Sequence, residues 1–160
     1  MCSIYGVFDF KGDAGVNHLL REFKAGNMYV TQHAVLLNEN YGPDVSVAVE
    51  SVLGNIYTVV VMGKNGKEHT SSLLNCYLEK RAPLLKGRIS FFIYDETKKR
   101  VCVARLKNSR KKIFYSVSDD RLQISSQTGK FSSGQKVFSL KRGAGFVYDE
   151  RGIGPKIIDF

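Results

Sequence analysis

The sequence predicts an α+β domain dominated by antiparallel strands. Short β-branched and aromatic runs recur along the chain, and from Gly87 onward they form a regular meander with polar turns. Only two segments carry the three-to-four-residue apolar spacing of a helix. The 160 residues, 43% of them hydrophobic, hold no low-complexity tract, internal repeat or linker, so residues 1–160 are expected to form a single domain.

Ile4 to Phe10 reads as the first strand, closed by Lys11-Gly12-Asp13. Val16, Leu19, Leu20 and Phe23 give a helix over residues 15–25, ended by Gly26-Asn27. Met28 to Leu37 and Val45 to Val52 are the next strands, on either side of a turn-rich segment at 38–44. Ile56 to Met62 is a strand with both faces apolar. Leu73, Leu74, Tyr77 and Leu78 mark a second helix over 70–80, with Thr70 or Ser71 as its cap. The meander places strands at Ile89–Tyr94, Val101–Arg105, Ile113–Val117 and Leu122–Ser126. Val137–Leu140, Gly145–Tyr148 and Lys156–Phe160 complete it. So many strands with so few helices imply sheets that need covering layers.

Several function classes drop out. No apolar run approaches the ~20 residues of a membrane helix. The N-terminus has no basic region followed by an apolar stretch, so no secretory signal is read and a cytoplasmic protein is expected. Cys2, Cys76 and Cys102 fit neither a disulfide framework nor a zinc site. His18, His33 and His69 are scattered, and no metal or cofactor is expected. Gly63-Lys64-Asn65-Gly66-Lys67 lacks the spacing of a phosphate loop.

The net charge of +9 is concentrated. Residues 86–112 carry ten basic and two acidic side chains, against seven and eight over residues 1–85. Such a stretch attracts nucleic acid or an acidic protein, or it is a solvated edge whose lysines discourage strand pairing. The edge reading suits Lys98-Lys99-Arg100, which sits in a turn; Arg110-Lys111-Lys112 fits either.

Cys2 is the chemically distinctive residue. With Met1 removed it carries both a thiol, with a pKa near ~8.5, and an α-amine, near ~7.7–8.0. The amine is then able to accept the thiol proton, which is one way an N-terminal nucleophile is activated.

The opening Cys2-Ser3-Ile4-Tyr5-Gly6 resembles the Cys-Gly-Ile-x-Gly start of class II glutamine amidotransferase domains, such as that of asparagine synthetase. Leu85-Lys86-Gly87-Arg88-Ile89-Ser90-Phe91-Phe92-Ile93-Tyr94-Asp95 is similar to that family's Leu-x-Gly-x-Phe-Ala-Phe-Ala-x-Tyr-Asp. The likeness runs on through Val103-Ala104-Arg105 to Leu122-Gln123-Ile124-Ser125-Ser126. Gly42-Pro43-Asp44 resembles the family's Arg-Gly-Pro-Asp turn. The resemblance implies an N-terminal-nucleophile hydrolase fold, an αββα sandwich of two antiparallel sheets between helical layers. It also implies a reaction in which Cys2 attacks the side-chain amide of glutamine, releases ammonia and leaves a glutamyl thioester for water. By the same resemblance Asn65 and Gly66 are the oxyanion donors, while Leu53-Gly54 and Met62-Gly63 offer other registers and a tight turn is the other reading of Asn-Gly. Asp44 and His69 are the candidate substrate contacts.

The chain departs from the family at informative places. Ser3 replaces glycine and Tyr41 replaces arginine. Residues 45–62 contain no Arg or Lys to grip a substrate carboxylate, and His69 stands where the amine-binding aspartate is expected. Residues 105–112 lose the family's Asp, Gly and Pro and gain Arg110-Lys111-Lys112. Three readings follow. The first is a stand-alone, trimmed amidohydrolase that acts on glutamine or another small amide. Since Phe160 leaves no room for an acceptor domain, it would supply ammonia to a separate acceptor enzyme. The second is a binding protein that meets nucleic acid or an acidic protein through the basic 86–112 surface at Lys107, Arg110, Lys111 and Lys112. The third is an amidase for an amide without an amino-acid head. The first is preferred, because a cysteine at position 2 has little structural purpose. No membrane partner is expected.

Overall fold

The computed structural model describes residues 3–11, 27–31, 33–39, 44–80, 87–118 and 120–154. The expected helix at 15–25 and last strand at 156–160 lie outside them. The described strands form two six-stranded antiparallel sheets, each in its own compact unit. Unit 1 comprises residues 1–42 and 113–139, and unit 2 comprises residues 43–112 and 140–160.

In unit 1, β1 (Ser3–Asp9) lies inside its sheet, between β3 (Ala34–Glu39) and β9 (Arg121–Ser125). Beyond β3 lies β2 (Asn27–Val30); beyond β9 lie β8 (Phe114–Ser118) and β10 (Phe138–Ser139). Residues 4–10 are all buried, which is why this run is apolar without alternation. Tyr5 and Val7 pack with Val35 and Leu37. Gly6 permits a close approach: an added Cβ would lie 2.8 Å from Leu36 Cδ2. Buried Asp9 is held by Arg121 Nε at 2.8 Å. The single strand expected over 28–37 is instead a hairpin of β2 and β3. Thr31 breaks the run, because its Oγ1 accepts the N–H groups of both His33 and Ala34 and so stabilises a turn.

In unit 2 the sheet order is β12 (Gly152–Gly154), β11 (Ala144–Asp149), β7 (Arg100–Arg105), β6 (Ser90–Asp95), β5 (Asn55–Met62) and β4 (Val45–Val52). One face presents Tyr57, Val59, Val61, Phe91, Ile93, Cys102, Ala104 and Val147 to Leu73, Leu74 and Tyr77 of helix α1 (Gly66–Leu78). Val60, Phe92 and Val103, on the other face, are also fully buried. The Tyr77 hydroxyl donates to Asp95, itself inaccessible, at 3.0 Å. Helix α1 begins four residues before the expected start. Its cap is Asn65, in the left-handed conformation at φ 60°, and Thr70 instead donates to the Lys67 carbonyl from within the first turns. The apolar spacing begins only at Leu73, so periodicity alone misses these polar turns.

Candidate functional site

Cys2 lies outside the described residues; the residue after it opens β1. The start of that strand is fixed by Ser126, whose Oγ accepts the Ile4 N–H at 3.2 Å and whose N–H donates to the Ile4 carbonyl at 3.1 Å.

In unit 2 the corner between β5 and α1 carries most of the other candidates. Gly63, at φ +144°, turns the chain; its N–H donates to the Asp44 carbonyl at 2.7 Å, and Met62 before it is buried. Gly66 is buried against Ser46 and the Val61 carbonyl, where an added Cβ would lie 3.2 Å from each. Asn65 is exposed, and its side-chain amide donates to Glu68 at 3.4 Å rather than capping the helix. The Asn65-Gly66 pair is thus a tight turn and, at the same time, a helix start. The first N–H groups of a helix have no intrahelical acceptor and sit at the positive end of its dipole. Such groups can stabilise a developing oxyanion. The other registers offer less: the Gly63 N–H is already engaged by Asp44, and Leu53-Gly54 is an exposed hairpin turn at the far end of β5.

Asp44 also meets a cation that chain spacing gives no sign of. Lys111 Nζ lies 2.6 Å from Asp44 Oδ2, and both side chains are about two-fifths exposed (40% and 42%). His69 is half-buried in the first turn of α1.

The basic stretch does not form one surface. Lys98, Lys99 and Arg100 lie at the β6–β7 turn, where Lys98 approaches Asp95 at 3.8 Å and Arg100 approaches Asp149 at 3.5 Å. Lys107, Arg110 and Lys112 lie beyond the other end of β7 and are exposed. Lys111 is withdrawn from this group by its pairing with Asp44. The loop that follows β7 is internally fixed. Ser109 is inaccessible, with its Oγ 2.8 Å from Ser90 Oγ, and the Ser90 hydroxyl donates to the Lys111 carbonyl at 2.7 Å.

Cys76 and Cys102 are buried free thiols, and burial pushes Cys102 up to about 12 despite the opposing field of Arg100. Neither has the character of a nucleophile. Among the described residues no group of three or more His, Cys, Asp or Glu side chains could hold a metal ion, and no helix is long and apolar enough to cross a membrane.

Two antiparallel sheets of this make are the framework of class II, N-terminal-nucleophile glutamine amidotransferases, and solved structures of that class resemble this chain. The glutamine phosphoribosylpyrophosphate amidotransferase from B. subtilis, complexed with ADP and GMP, is similar at a TM-score of 0.59 and 14% identity, over 96% of this chain and 48% of that one. An allosteric regulatory enzyme of purine biosynthesis is similar at 0.54 and 15% identity, over 95% of this chain and 42% of that one. The chain therefore spans less than half the length of either. No protein-family model matches the sequence, and no curated protein matches it. The likeness shows the fold, and the α+β, N-terminal-nucleophile architecture expected from the sequence is borne out.

Proposed function

We propose that the chain is a glutamine amidohydrolase whose nucleophile is Cys2, and that it provides ammonia to an acceptor site outside these 160 residues. The observation that carries this reading is the fold likeness over 96% of the chain, beginning in a sequence whose second residue is cysteine.

In the reaction the Cys2 α-amine takes the thiol proton, and the thiolate sulfur adds to the side-chain amide carbon of glutamine. The negative oxygen of the tetrahedral adduct is stabilised by the Asn65 side chain and the Gly66 N–H; losing one such donor typically costs about 10²–10³ in rate. The adduct collapses as the protonated amine passes its proton to the leaving nitrogen. Ammonia departs and a glutamyl thioester remains, which water cleaves to glutamate and free Cys2. Asp44 and Lys111 hold each other in an ion pair, and each has to exchange that partner for one charge of the α-amino-acid head. His69 lines the same helix turn and offers its ring nitrogens for a hydrogen bond.

The test is intact-mass analysis after incubation with a diazoketone analogue of glutamine, with Cys2→Ala as control. The untreated mass reports whether Met1 is removed. A single adduct, absent from the variant, is expected, since Cys76 and Cys102 are buried. Absence of an adduct on Met1-free protein refutes the reading.

A further inference from the structure

Unit 2 carries a cationic surface that the linear charge count does not reveal. The loop after β7 and the turn before β11 are joined at Arg105: its Nη1 donates to the Leu140 carbonyl at 2.9 Å, and its carbonyl accepts the Gly143 N–H at 2.8 Å. Gly143 in turn lies against the Lys107 stem, 3.0 Å from where a Cβ would stand. This brings Lys141 and Arg142 beside Lys107, on the loop that also carries Arg110 and Lys112. All five are exposed, and none makes an ion pair with a described residue. The segments 105–112 and 140–143 contain no acidic residue. Beneath them Arg105 is itself buried; it has no carboxylate partner among the described residues, and its Nε lacks a hydrogen bond. Burial, and secondarily the Arg142 charge, lower its pKa, as expected for positive charge accumulated without compensation.

From these juxtaposed loops we propose that Lys107, Arg110, Lys112, Lys141 and Arg142 form a docking surface for the phosphate backbone of duplex nucleic acid. The surface belongs to unit 2 alone and does not rest on Cys2 chemistry. Two features favour this occupant over an acidic protein or a single strand. Protein interfaces centre on apolar and aromatic anchors and are depleted in lysine. Here Leu106 and Leu140, the large apolar residues of the two loops, are buried. Single strands are held by exposed aromatic platforms, and neither segment contains an aromatic residue. What remains is an array of cations with no ion-pair partner among the described residues, which contacts phosphates without reading sequence.

Fluorescence anisotropy of the intact chain with a labelled duplex of about 20 base pairs, titrated from about 50 to about 200 mM salt, tests this. Five phosphate contacts predict a log–log salt slope near about −4.5 and a weakening of about 10²–10³-fold across that range, the same for two unrelated sequences. Substituting Lys107, Arg110 and Lys112 with Gln should make the slope shallower by about 2–3. Adding Lys141→Gln and Arg142→Gln should abolish binding. Gln replacement of Lys80 and Lys98, at the opposite end of the unit 2 sheet beside Asp95, should leave most of the slope. All these side chains are exposed or nearly so, and circular dichroism verifies that the variants fold. No binding at the lowest salt overturns the proposal, as does unchanged binding by the five-residue variant. So does displacement by polyglutamate that matches unlabelled duplex at equal charge, which would indicate an acidic protein instead.

Discussion

Gly63 is the position where a single added methyl tests the geometry of the β5–α1 corner. The change Gly63→Ala meets two separate penalties. At φ +144° an L side chain is strained by about 1–3 kcal/mol. The new Cβ would also stand 2.8 Å from Ile89 Cγ2 and 3.0 Å from the Arg88 carbonyl, an overpacking worth about 1–3 kcal/mol more. Two other glycines separate these effects. Gly54 has φ +80° but nothing within 4 Å, so Gly54→Ala incurs backbone strain alone, about 1–2 kcal/mol. Gly129 is open and has no positive φ, so Gly129→Ala should be neutral or gain up to about 1 kcal/mol through a less flexible unfolded chain. Thermal unfolding of the series should give a drop of about 6–20 °C for Gly63→Ala and about 2–8 °C for Gly54→Ala, with no drop for Gly129→Ala. Urea unfolding should show midpoints in the same order with unchanged slopes. If Gly63→Ala loses no more than Gly54→Ala, Ile89 and the Arg88 carbonyl do not press on the corner, and the geometry given for Gly63 fails.

Three further outcomes are expected. Leu53 is 97% exposed at φ 51° in a two-residue hairpin turn that favours Asn-Gly, so Leu53→Asn should raise the melting temperature by about 1–4 °C; a decrease would contradict the turn. Tyr77→Phe removes the hydroxyl that donates to inaccessible Asp95, and should lower stability in urea by about 1.5–3 kcal/mol; a loss under about 0.5 kcal/mol would mean that water or Lys98 replaces it. Hydrogen bonding from Arg151 holds the Asp149 carboxyl at about 2, below its ordinary 3.8, so this stabilisation is complete above about pH 4 and is lost as pH falls toward 2. Urea midpoints measured against pH should show that acid loss in the parent chain and a flatter limb in Asp149→Asn.

The strands were legible where burial on both faces leaves an uninterrupted apolar run, as at β1 and β5, and where polar turns punctuate a meander, as from β6 to β9. The helix start was not, because Asn65 and Gly66 define it by backbone conformation while the apolar positions begin seven residues later at Leu73. Thr31 divided one apparent strand into two through side-chain bonds that leave no mark on hydrophobic periodicity. The candidate site was legible only in part. Asn65-Gly66 and Asp44 stand out as motifs, but the Lys111–Asp44 pair joins residues 67 positions apart. The basic stretch divides for a geometric reason. An extended strand advances about 3.3 Å per residue, so β7 carries Arg100 and Lys107 to opposite ends of the sheet. Lys141 and Arg142, remote in sequence, return to the second end through the pairing of β11 with β7.

The chain weaves its two units through each other in sequence, and this bears on how the molecule is made. β1 emerges during synthesis long before β9, its partner on one side, at residues 121–125. Unit 2 likewise awaits β11, at residues 144–149, to flank β7. Neither sheet is completed by a contiguous fragment, and closing such long loops before any contact forms slows folding. An apolar edge of β1 therefore stays unpaired until residues 121–125 are made, the condition under which nascent chains aggregate or recruit chaperones.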